Sequence, residues 1–320
     1  MSDVNTQTLP VAVDVMGTDH GPQAVVEGAI LASNAGVPVC LVGDESVAAL
    51  AKNAGLSFVL APEFVGMHES PLLAVRAKKR SSIRVALELL SAGAASSFVS
   101  FGNTGAVVVE SVRTLRLVAG VERPAIAVLL PRLDGGQLVM VDVGANVDCR
   151  AEHLVSFADL GCAWARLIGA SLPRVGLLSN GEEPSKGNQV VRAAAELLGQ
   201  REGWVGQIEP AAALAGGCDV LVADGFVGNV MIKGMEAAAA AVRHLLHRRG
   251  VFETSLSSVG RPASWETYGG GLLLGVDGVT VIGHGRVDPS AAAAAIRLAW
   301  TAAGAGLVSA LTPTVDAPES

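Results

Sequence analysis

The sequence predicts an α/β fold built on a mostly parallel sheet, and three observations lead to this prediction. Short aliphatic runs alternate with helical stretches, an order that calls for right-handed crossovers between parallel strands. Aromatic residues make up 4% of the chain while Ala, Val, Leu and Gly are plentiful, which favours helices packed on a parallel sheet over a β-sandwich. The 320 residues, 50% of them hydrophobic, are enough for a substantial core in one large or two fused lobes.

The aliphatic and β-branched runs predict the strands, and the stretches between them predict the helices. The predicted strands are Val11–Val15, Val37–Val42, Ser57–Leu60, Phe98–Ser100, Ala125–Leu130, Leu138–Val143, Arg174–Leu178, Val205–Ile208, Asp219–Val222 and Val279–Ile282. The predicted helices are Pro22–Ala35, Ser46–Ala54, Leu72–Ala92, Thr104–Val118, Ala151–Ile168, Asn188–Leu198, Asn229–Arg248 and Pro289–Ala303. We expect a single α/β domain over residues 1–310, a helical excursion at 230–270 that packs against a second subunit, and a flexible polar tail over 311–320.

Five predicted strands end in loops of Gly, Asn, Asp and Thr that precede a helix. These segments are Val11–Gly21, Phe98–Gly105, Leu138–Asn146, Val175–Gly187 and Val220–Asn229. Such loops leave backbone N–H groups free at a helix N-terminus, where an anion can sit. Ligands of parallel sheets bind outside the carboxyl ends of the strands. We therefore expect the five loops to gather at one rim and to bind a phosphate-bearing substrate.

The first loop begins at Asp14 and contains Gly17, which allows close approach of a ligand to the backbone, and both residues are candidate substrate or phosphate contacts. Asp19 and His20 come next, and we expect both to project into the cleft. The alternative is that Asp19 caps the following helix while His20 lies at the surface.

The second loop, Gly102–Gly105, offers backbone N–H groups and the side-chain amide of Asn103 to an oxyanion. Gly102, Asn103, Thr104 and Gly105 are therefore candidate phosphate ligands. The alternative is a simple turn in which Thr104 caps the helix.

The third loop begins at Asp142, a carboxylate at the end of an otherwise apolar strand. Such a group is costly there unless it is paired or faces water. The alternative to a substrate contact is a structural acceptor for loop N–H groups. Asn146 is the candidate ligand in this loop.

The fourth and fifth loops supply cations and amides. Lys186 lies on a glycine-flanked loop and suits neutralisation of phosphate charge, although a solvated lysine is the alternative. In the fifth loop, Gly225, Gly228 and Asn229 lie at a helix start, with Lys233 one turn further on. The alternative is a capped helix with Lys233 in solvent.

His284 stands between two glycines after the last predicted strand. Its neighbours in sequence are glycines without side chains, so we expect an accessible imidazole that polarises a carbonyl or donates to phosphate.

The sequence predicts no metal site, no cofactor and no nucleic-acid partner. The net charge is -7 at pH 7, and Cys40, Cys149, Cys162 and Cys218 form no CxxC pair. Buried, inert thiols and a start without a signal-peptide pattern predict a reduced cytoplasmic protein.

One basic cluster stands out against the acidic background. It consists of Arg76, Lys78, Lys79, Arg80 and Arg84, with no acidic residue from Arg76 to Arg84. The functional hypothesis is a dock for an acidic partner or a set of phosphate ligands. The alternative is a solvated helix face.

Several of these motifs together resemble one known family. In order they are VAVDVMGTDHGPQAVVEGA, RAKKRSSI, FGNTGA, DVGANVDCRAEHL, GEEPSKGN, DGFVGNVMIK, LLLGVDGV and HGRVD. They resemble the bacterial phosphate acyltransferase family of phospholipid synthesis, PlsX, from about Val11 to Trp300. Thr18 and Phe101 depart from the family's usual small residues in two candidate loops.

The resemblance implies that acyl-[acyl-carrier protein] reacts with inorganic phosphate to give acyl phosphate and free carrier protein. It also implies a homodimeric three-layer α/β/α domain similar to phosphotransacetylases and isocitrate/isopropylmalate dehydrogenases. The acidic carrier protein would dock on the basic cluster, and a glycerol-3-phosphate acyltransferase would be a further partner. The segment from Lys233 to Tyr268 is shorter than the helical hairpin that carries membrane association in some members, which argues against membrane docking here. The only membrane contact considered is a peripheral one at the inner face.

A direct transfer without an acyl-enzyme is the predicted mechanism. The chain has no G-x-S-x-G motif and no cysteine in a nucleophile motif, so phosphate itself would attack the thioester. Lys186, His284 and Asn229 are the predicted catalytic residues. The rival hypotheses are a phosphotransacetylase-like enzyme that uses acyl-CoA and a non-catalytic scaffold that binds phosphate or acyl carrier.

Overall fold

The computed structural model describes residues 8–19, 21–249 and 269–312, and the strands within these ranges form one sheet. The strands are β1 Val11–Asp14, β2 Val39–Gly43, β3 Ser57–Leu60, β4 Ser97–Ser100, β5 Ala125–Pro131, β6 Gln137–Val141, β7 Val175–Leu178, β8 Trp204–Ile208, β9 Val220–Val222, β10 Gly271–Leu274 and β11 Thr280–Ile282. Their order across the sheet is β3-β2-β1-β4-β11-β10-β5-β6-β9-β7-β8.

Helices connect most of the strands. They are α1 Gln23–Asn34, α2 Glu45–Ala54, α3 Pro71–Ala77, α4 Ser82–Ser91, α5 Thr104–Leu115, α6 Ala151–Leu167, α7 Gln189–Leu198, α8 Pro210–Ala212, α9 Gly225–Arg248, α10 Pro289–Gly304 and α11 Leu307–Leu311. A π-helical turn, Ala213–Gly217, continues α8. Within the described ranges, no helix combines the length and the apolar character that crossing a membrane requires.

The predicted α/β fold is confirmed, because a large, mostly parallel sheet carries helices on both faces. Side chains alternate along β1: Val11 and Val13 belong to one core cluster and Ala12 to the other. The first cluster is completed by α1, α6 and α10, and the second by α4, α5 and α9. The resulting three layers agree with the arrangement that the resemblance implied.

The sheet consists of two parallel blocks that run in opposite directions. The first block is β3-β2-β1-β4-β11 and the second is β6-β9-β7-β8. Between them, β10 and β5 pair antiparallel with their neighbours and with each other. The expectation that all five glycine-rich loops share one rim is therefore wrong, because the loops after β1 and β4 leave the sheet in the opposite direction from those after β6, β7 and β9.

The two blocks nevertheless place their carboxyl ends close together at the middle of the sheet. Ile282, the last residue of β11, pairs with Gly271. Leu272, the next residue of β10, pairs with Ala127 of β5, which in turn pairs with Val141, the last residue of β6. The carboxyl ends of β11 and β6 thus lie one register position apart across β10 and β5. This staggered arrangement lets loops from both blocks reach one site.

The predicted helix over Leu72–Ala92 is two helices, α3 and α4, separated by a short turn. Ser81 caps α4, since its hydroxyl accepts a hydrogen bond from the backbone N–H of Arg84. The N–H of Ser82 donates to the carbonyl of Glu63, which holds the turn against the preceding loop. The apolar periodicity continues across this turn, so periodicity alone did not reveal it.

Two further boundaries differ from the sequence-based expectation, at the start of α9 and at the start of the tail. Helix α9 begins at Gly225 instead of Asn229, because the Asp224 side chain accepts the N–H of Val227 and caps it there. The rest of the predicted excursion, from 250 to 268, lies outside the described residues. Leu311 is buried at the end of α11, so the packed chain enters the predicted tail, of which 313–320 lie outside the described residues.

Candidate functional site

A cavity of about 410 Å³ lies between the two blocks, over the sheet face that α5 and α9 cover. Among the predicted site residues, those that line it are Gly102, Thr104, Asn229, Lys233 and His284. Residues from both blocks therefore meet here, as the register at the centre of the sheet requires.

The floor of the cavity is apolar and comes from the central strands. Ile126 and Val128 project from β5, Gly271 from β10 and Ile282 from β11. Gly271 keeps the floor open between its neighbours, since a Cβ there would lie 2.5 Å from the Ile126 side chain.

The roof is one stripe of α9. Asn229, Ile232, Lys233 and Glu236 line the cavity, and their spacing of i, i+3, i+4 and i+7 places them on one helical face. Ile232 adds an apolar surface opposite the floor, and Lys233 adds a cation.

The loops after β4 and β11 form the polar end of the cavity, called here the head. Gly102 and Thr104 come from the first loop and His284 from the second, and the Gly283 N–H donates to the Ser100 carbonyl at 2.9 Å to join the two loops. The Arg286 N–H donates to Nδ1 of His284 at 3.2 Å. This hydrogen bond to Nδ1 places the proton of a neutral His284 on Nε2.

Helix α5 presents its N-terminus at the head. The N–H groups of the first turn have no intrahelical acceptor, and within the described part of the chain those of Thr104 and Gly105 have no other acceptor. Two N–H groups at the positive end of the helix dipole can hold an anion here. This supports the predicted anion site at Thr104 and Gly105.

The side chain of Asn103, in contrast, makes hydrogen bonds only within the protein's own loops and helix. Its Oδ1 accepts the Ala106 N–H and caps α5, which is the role considered for Thr104. Its Nδ2 donates to the carbonyls of Gly66, Met67 and Glu69 at 3.0 to 3.3 Å. The predicted phosphate contact by the Asn103 side chain is therefore corrected. The residue instead fixes the loop that carries Met67 to the cavity wall.

The loop after β1 lies beside the cavity and does not line it. Asp14 is buried and accepts hydrogen bonds from Ser100 Oγ at 2.7 Å and the Met16 N–H at 3.0 Å. Burial raises the pKa of Asp14 from 3.8 to about 6, and these hydrogen bonds oppose the shift. Gly17 has a positive φ of 74°, and a Cβ there would lie 2.7 Å from the Val65 carbonyl oxygen. Both predicted ligands thus serve the loop's own structure.

Asp19 lies at the surface beyond this loop. Its N–H donates to the Gly285 carbonyl at 3.1 Å and its carboxylate lies 3.5 Å from Arg286. It caps no helix, since Pro22 precedes α1 without a side-chain cap. His20 lies outside the described residues.

In the loop after β6, the N–H groups that could receive an anion are already bound by the side chain of Asp142. The buried Asp142 carboxylate accepts the backbone N–H groups of Ile126, Gly144, Ala145 and Asn146 at 2.8 to 3.1 Å. Burial raises the pKa of Asp142, and the hydrogen bonds oppose the rise. Asn146 donates from Nδ2 to Asp142 and to the Pro124 carbonyl. The predicted phosphate contact at Asn146 is therefore corrected, and the structural alternative for Asp142 is confirmed.

The glycines at the start of α9 allow close packing. A Cβ at Gly225 would lie 2.6 Å from the Asn146 carbonyl oxygen, and one at Gly228 would overlap the carbonyl oxygen of Asp142. Neither glycine lines the cavity, and their predicted phosphate contacts stay a prediction. Asn229 donates from Nδ2 to the Val143 carbonyl at 3.0 Å and still lines the cavity.

Lys186 does not line the cavity. Its loop follows β7, which β9 separates from β6, and its aliphatic stem lies over Gly181. The catalytic role assigned to Lys186 stays a prediction that this cavity does not support.

The basic cluster divides into exposed and engaged residues. Arg76, Lys79 and Arg80 are exposed. Lys78 pairs with Glu69 at 2.5 Å and donates to the Phe64 carbonyl. Arg84 is 5% exposed and pairs with Glu110 at 2.9 Å, so the interior of the protein holds this guanidinium away from any docking partner.

The two residues that depart from the family pattern have local roles. Thr18 donates from Oγ1 to the Gly21 carbonyl at 2.6 Å. Phe101 is buried, and its ring occupies the position that a side chain at Gly283 would need. The Phe101 ring therefore packs against Gly283, next to the loop that carries His284.

None of the four thiols lines the cavity. Burial raises the pKa of Cys149 to about 11 and that of Cys218 to about 12, and it also raises the pKa of Cys40 and Cys162. All four are protonated near neutral pH, as the expected inert thiols require. Within the described ranges, no three His, Cys, Asp or Glu side chains gather as a metal site.

Sequence reasoning missed the apolar part of the site. The missed lining residues include Met67, Ile126, Val128, Ile232 and Ile282. A signal existed for Ile232, because Asn229 and Lys233 already defined a helical face on which it lies. The strand residues carried no such signal, since buried strands are aliphatic everywhere.

Comparison with known proteins gives one family. A sequence model described as fatty acid synthesis protein matches residues 9–310. Over 315 residues the chain is 44% identical to a phosphate acyltransferase from Anaeromyxobacter sp. (strain K), with 92% of this chain and 87% of that protein covered. Over 312 residues it is 45% identical to a phosphate acyltransferase from Geobacter sp. (strain M21), with 91% and 88% covered.

Solved structures share the fold at low sequence identity. A phosphotransacetylase from Streptococcus pyogenes aligns with a TM-score of 0.62 at 19% identity, covering 93% of this chain and 95% of that one. A 4-hydroxythreonine-4-phosphate dehydrogenase from Klebsiella pneumoniae aligns with a TM-score of 0.53 at 13% identity, covering 92% and 99%. The expected likeness to phosphotransacetylases and to a dehydrogenase-like fold is confirmed.

Proposed function

The chain belongs to the PlsX family of phosphate acyltransferases, which are acyltransferase enzymes, and from this premise we propose its substrates and mechanism. The proposed reaction converts acyl-[acyl-carrier protein] and inorganic phosphate to acyl phosphate and free carrier protein. The observation that carries the proposal is the cavity, which joins the N-terminus of α5, where two N–H groups can receive an anion, to an apolar floor. An acyl phosphate has the same two parts, an anion and a hydrocarbon chain.

Phosphate is the nucleophile in the proposed mechanism. Its second ionisation lies near pH ~6–7, by analogy with phosphate monoesters, so much of it is dianionic at neutral pH. A phosphate oxygen forms a bond to the thioester carbon, and the C–S bond breaks. The leaving thiolate has a parent thiol with a pKa of about 8.5, so it departs without strong acid catalysis and takes up a proton from water.

The residues at the head position the reactants and stabilise charge. We assign phosphate to the N–H groups of Thr104 and Gly105, with Lys233 on the roof neutralising its charge. His284, with its Nε2 proton, is the donor assigned to the thioester oxygen as it becomes an oxyanion. One such donor contributes roughly 3–4 kcal/mol to transition-state stabilisation.

No acyl-enzyme is part of this mechanism. The raised pKa values of Cys149 and Cys218 keep both thiols protonated. None of the four thiols reaches the cavity, so attack by bound phosphate is the simpler route.

The acyl donor is proposed to be a carrier protein because a basic and apolar surface adjoins the head. Pro71 begins α3 and lies against Gly105, since a Cβ at Gly105 would lie 2.6 Å from the Pro71 ring. Leu72 and Leu73 follow, exposed by 56% and 66%, and Arg76 lies one turn further. We call Leu72, Leu73, Arg76, Lys79 and Arg80 the docking surface. An acidic carrier protein bound there would hold its thioester arm near the cavity mouth.

The proposal extends to the setting of the enzyme. We propose a cytoplasmic homodimer that passes acyl phosphate to a glycerol-3-phosphate acyltransferase, with any membrane contact peripheral. Exposed apolar side chains along α9 support a second subunit at that helix. They include Phe226, Val230, Val242 and Leu245.

The test is to mix pure protein, palmitoyl-carrier protein and phosphate and to detect acyl phosphate by mass spectrometry. The expected result is acyl phosphate and free carrier protein in equal amounts, with no acyl adduct on the protein. A parallel reaction with palmitoyl-CoA separates the phosphotransacetylase-like alternative, which would turn over that donor at least as fast. Tight carrier binding by calorimetry without thioester cleavage would instead indicate a scaffold.

A further inference from the structure

The direction of the cavity determines how an acyl chain can lie in it. The head, with Thr104 and His284, is at one end. From there the floor passes Ile282, which pairs with Gly271, and continues past Val128 to Ile126 two positions along β5. The Val143 N–H donates to the Ile126 carbonyl at 3.0 Å, so Val143 follows at the far end. The cavity thus runs from the polar head along an apolar floor to Val143 at the far end.

The far end cannot hold a second anion. The N–H groups of Gly144 and Ala145 are already bound by the Asp142 carboxylate. One of the two Nδ2 hydrogens of Asn229 is donated to the Val143 carbonyl. The reacting head group therefore belongs at the α5 end, and the hydrocarbon belongs at the Val143 end.

We propose that the acyl chain lies between the floor and Ile232, with its methyl end at Val143, so that Val143 and Ile126 determine chain length. This inference rests on the proposed function, and it adds the subsite that selects among acyl donors. Val143 is 8% exposed and Ile126 is 6% exposed, so each presents a small apolar surface to the cavity from a well-packed position. Ile232, also 6% exposed, covers the chain from α9.

The size of the side chain at the far end of the cavity is expected to change which acyl chain length the enzyme prefers. One methylene in an apolar pocket changes discrimination between substrates by about 10-fold or more. Val143→Ala would lengthen the subsite by two methyl groups, and Val143→Leu would shorten it by one methylene. The two variants are therefore expected to shift chain preference in opposite directions.

The experiment compares kcat/KM for carrier-protein donors with saturated chains of increasing even length. For each variant, kcat/KM for the chain two carbons longer than the wild-type optimum is divided by kcat/KM for the optimal chain. Val143→Ala and Ile126→Val are expected to raise this ratio by about 10-fold. Val143→Leu is expected to lower the ratio similarly. Leu130→Ala is the matched control, because Leu130 is buried on the same face of β5 and does not line the cavity.

The outcomes separate this inference from the proposed function. Acyl phosphate formation with a chain-length profile that neither Val143 nor Ile126 variants change would overturn the inference alone, as would an equal shift in Leu130→Ala. Absence of acyl phosphate from every donor with the wild-type protein would overturn the proposed function. The same donors are also titrated without phosphate, and opposite shifts in Kd for Val143→Ala and Val143→Leu are expected independently of turnover.

Discussion

Two aspartates at strand ends show how much a residue's surroundings decide its role. Asp14 and Asp142 both follow buried strands and precede glycine-rich loops, the sequence context in which a ligand contact was considered. In the structure both are buried and bind N–H groups of their own loops. A phosphate nest and a carboxylate that fills such a nest have the same local sequence, because both need glycines and free N–H groups. The sequence therefore located the loops but not their occupants.

Asp14 predicts a specific pH dependence of stability. Burial raises its pKa from 3.8 in the unfolded chain to about 6 in the folded protein. The folded state therefore binds more protons between these values, and the contribution of Asp14 to the free energy of unfolding grows as pH falls from about 6 towards 4. Above pH 6 the carboxylate is charged in both states, and its burial costs the folded state about 3 kcal/mol.

Substitution Asp14→Asn isolates this contribution. Urea unfolding of the wild type and the variant is measured from pH 4 to pH 7, and the wild-type free energy is subtracted from that of the variant. The difference is expected to increase by about 2 kcal/mol from pH 4 to pH 7. A difference that stays constant over this range would contradict the raised pKa.

At the scale of elements, helix α9 owes its position to two glycines. Gly225 and Gly228 let the first turn contact the loop that Asp142 organises, which sets the height of the cavity roof. Gly234 lies on the same helix, and no atom of the described residues lies within 4 Å of the position that its Cβ would take. The two kinds of glycine look alike in sequence, and the structure assigns them opposite responses to substitution.

The matched variants Gly228→Ala and Gly234→Ala test whether the two glycines respond in opposite ways to substitution. Gly228→Ala is expected to destabilise the protein by about 1–3 kcal/mol or more, because its Cβ would overlap the Asp142 carbonyl oxygen. Gly234→Ala is expected to stabilise it by up to about 1 kcal/mol through helix propensity. The midpoint of urea unfolding measures both. Equal midpoints for the two variants would show that α9 does not depend on this close packing.

The elements themselves were largely predictable, whereas the direction of the strands was not predicted. Alternation of aliphatic runs with helical stretches located the strands and helices to within a few residues. The reversal at the sheet centre comes from two hairpins, β5–β6 through Asp134-Gly135 and β10–β11 through Asp277-Gly278. Asp-Gly between two apolar runs is a hairpin signal. It was available in the sequence, but the strand–helix alternation outweighed it, and β10 itself was missed.

At the scale of the whole molecule, the site exists because two opposed blocks meet. The head comes from the first block, and the roof and far wall come from the second. Sequence motifs predicted residues on both sides, such as Thr104, His284, Asn229 and Lys233. They could not show which loops face each other, since that depends on the register of β10 with β5. Lys186, two strands further on, illustrates the difference, because its motif is as distinctive as those that reach the cavity.

The docking surface gives the last prediction, which concerns how the whole molecule meets its partner. The chain carries a net charge of -7, so an acidic carrier protein is repelled except where cations are exposed together. Arg76→Glu, Lys79→Glu and Arg80→Glu are each expected to raise KM for the acyl-carrier donor by about 10-fold at low salt and to reduce its salt dependence. Steady-state kinetics at several ionic strengths measures both effects.

Two controls decide whether the surface or the total charge is responsible. Lys52→Glu makes the same change in charge on exposed α2, away from the docking surface, and is expected to leave KM for the carrier donor unchanged. Acyl-pantetheine carries no acidic protein, so its KM is expected to be the same in all the variants. If the variants at Arg76, Lys79 and Arg80 affected both donors equally, the cations would act within the cavity, and the carrier protein would have to approach from another side. Their exposure beside α3, next to Pro71 and outside the cavity lining, favours the docking role.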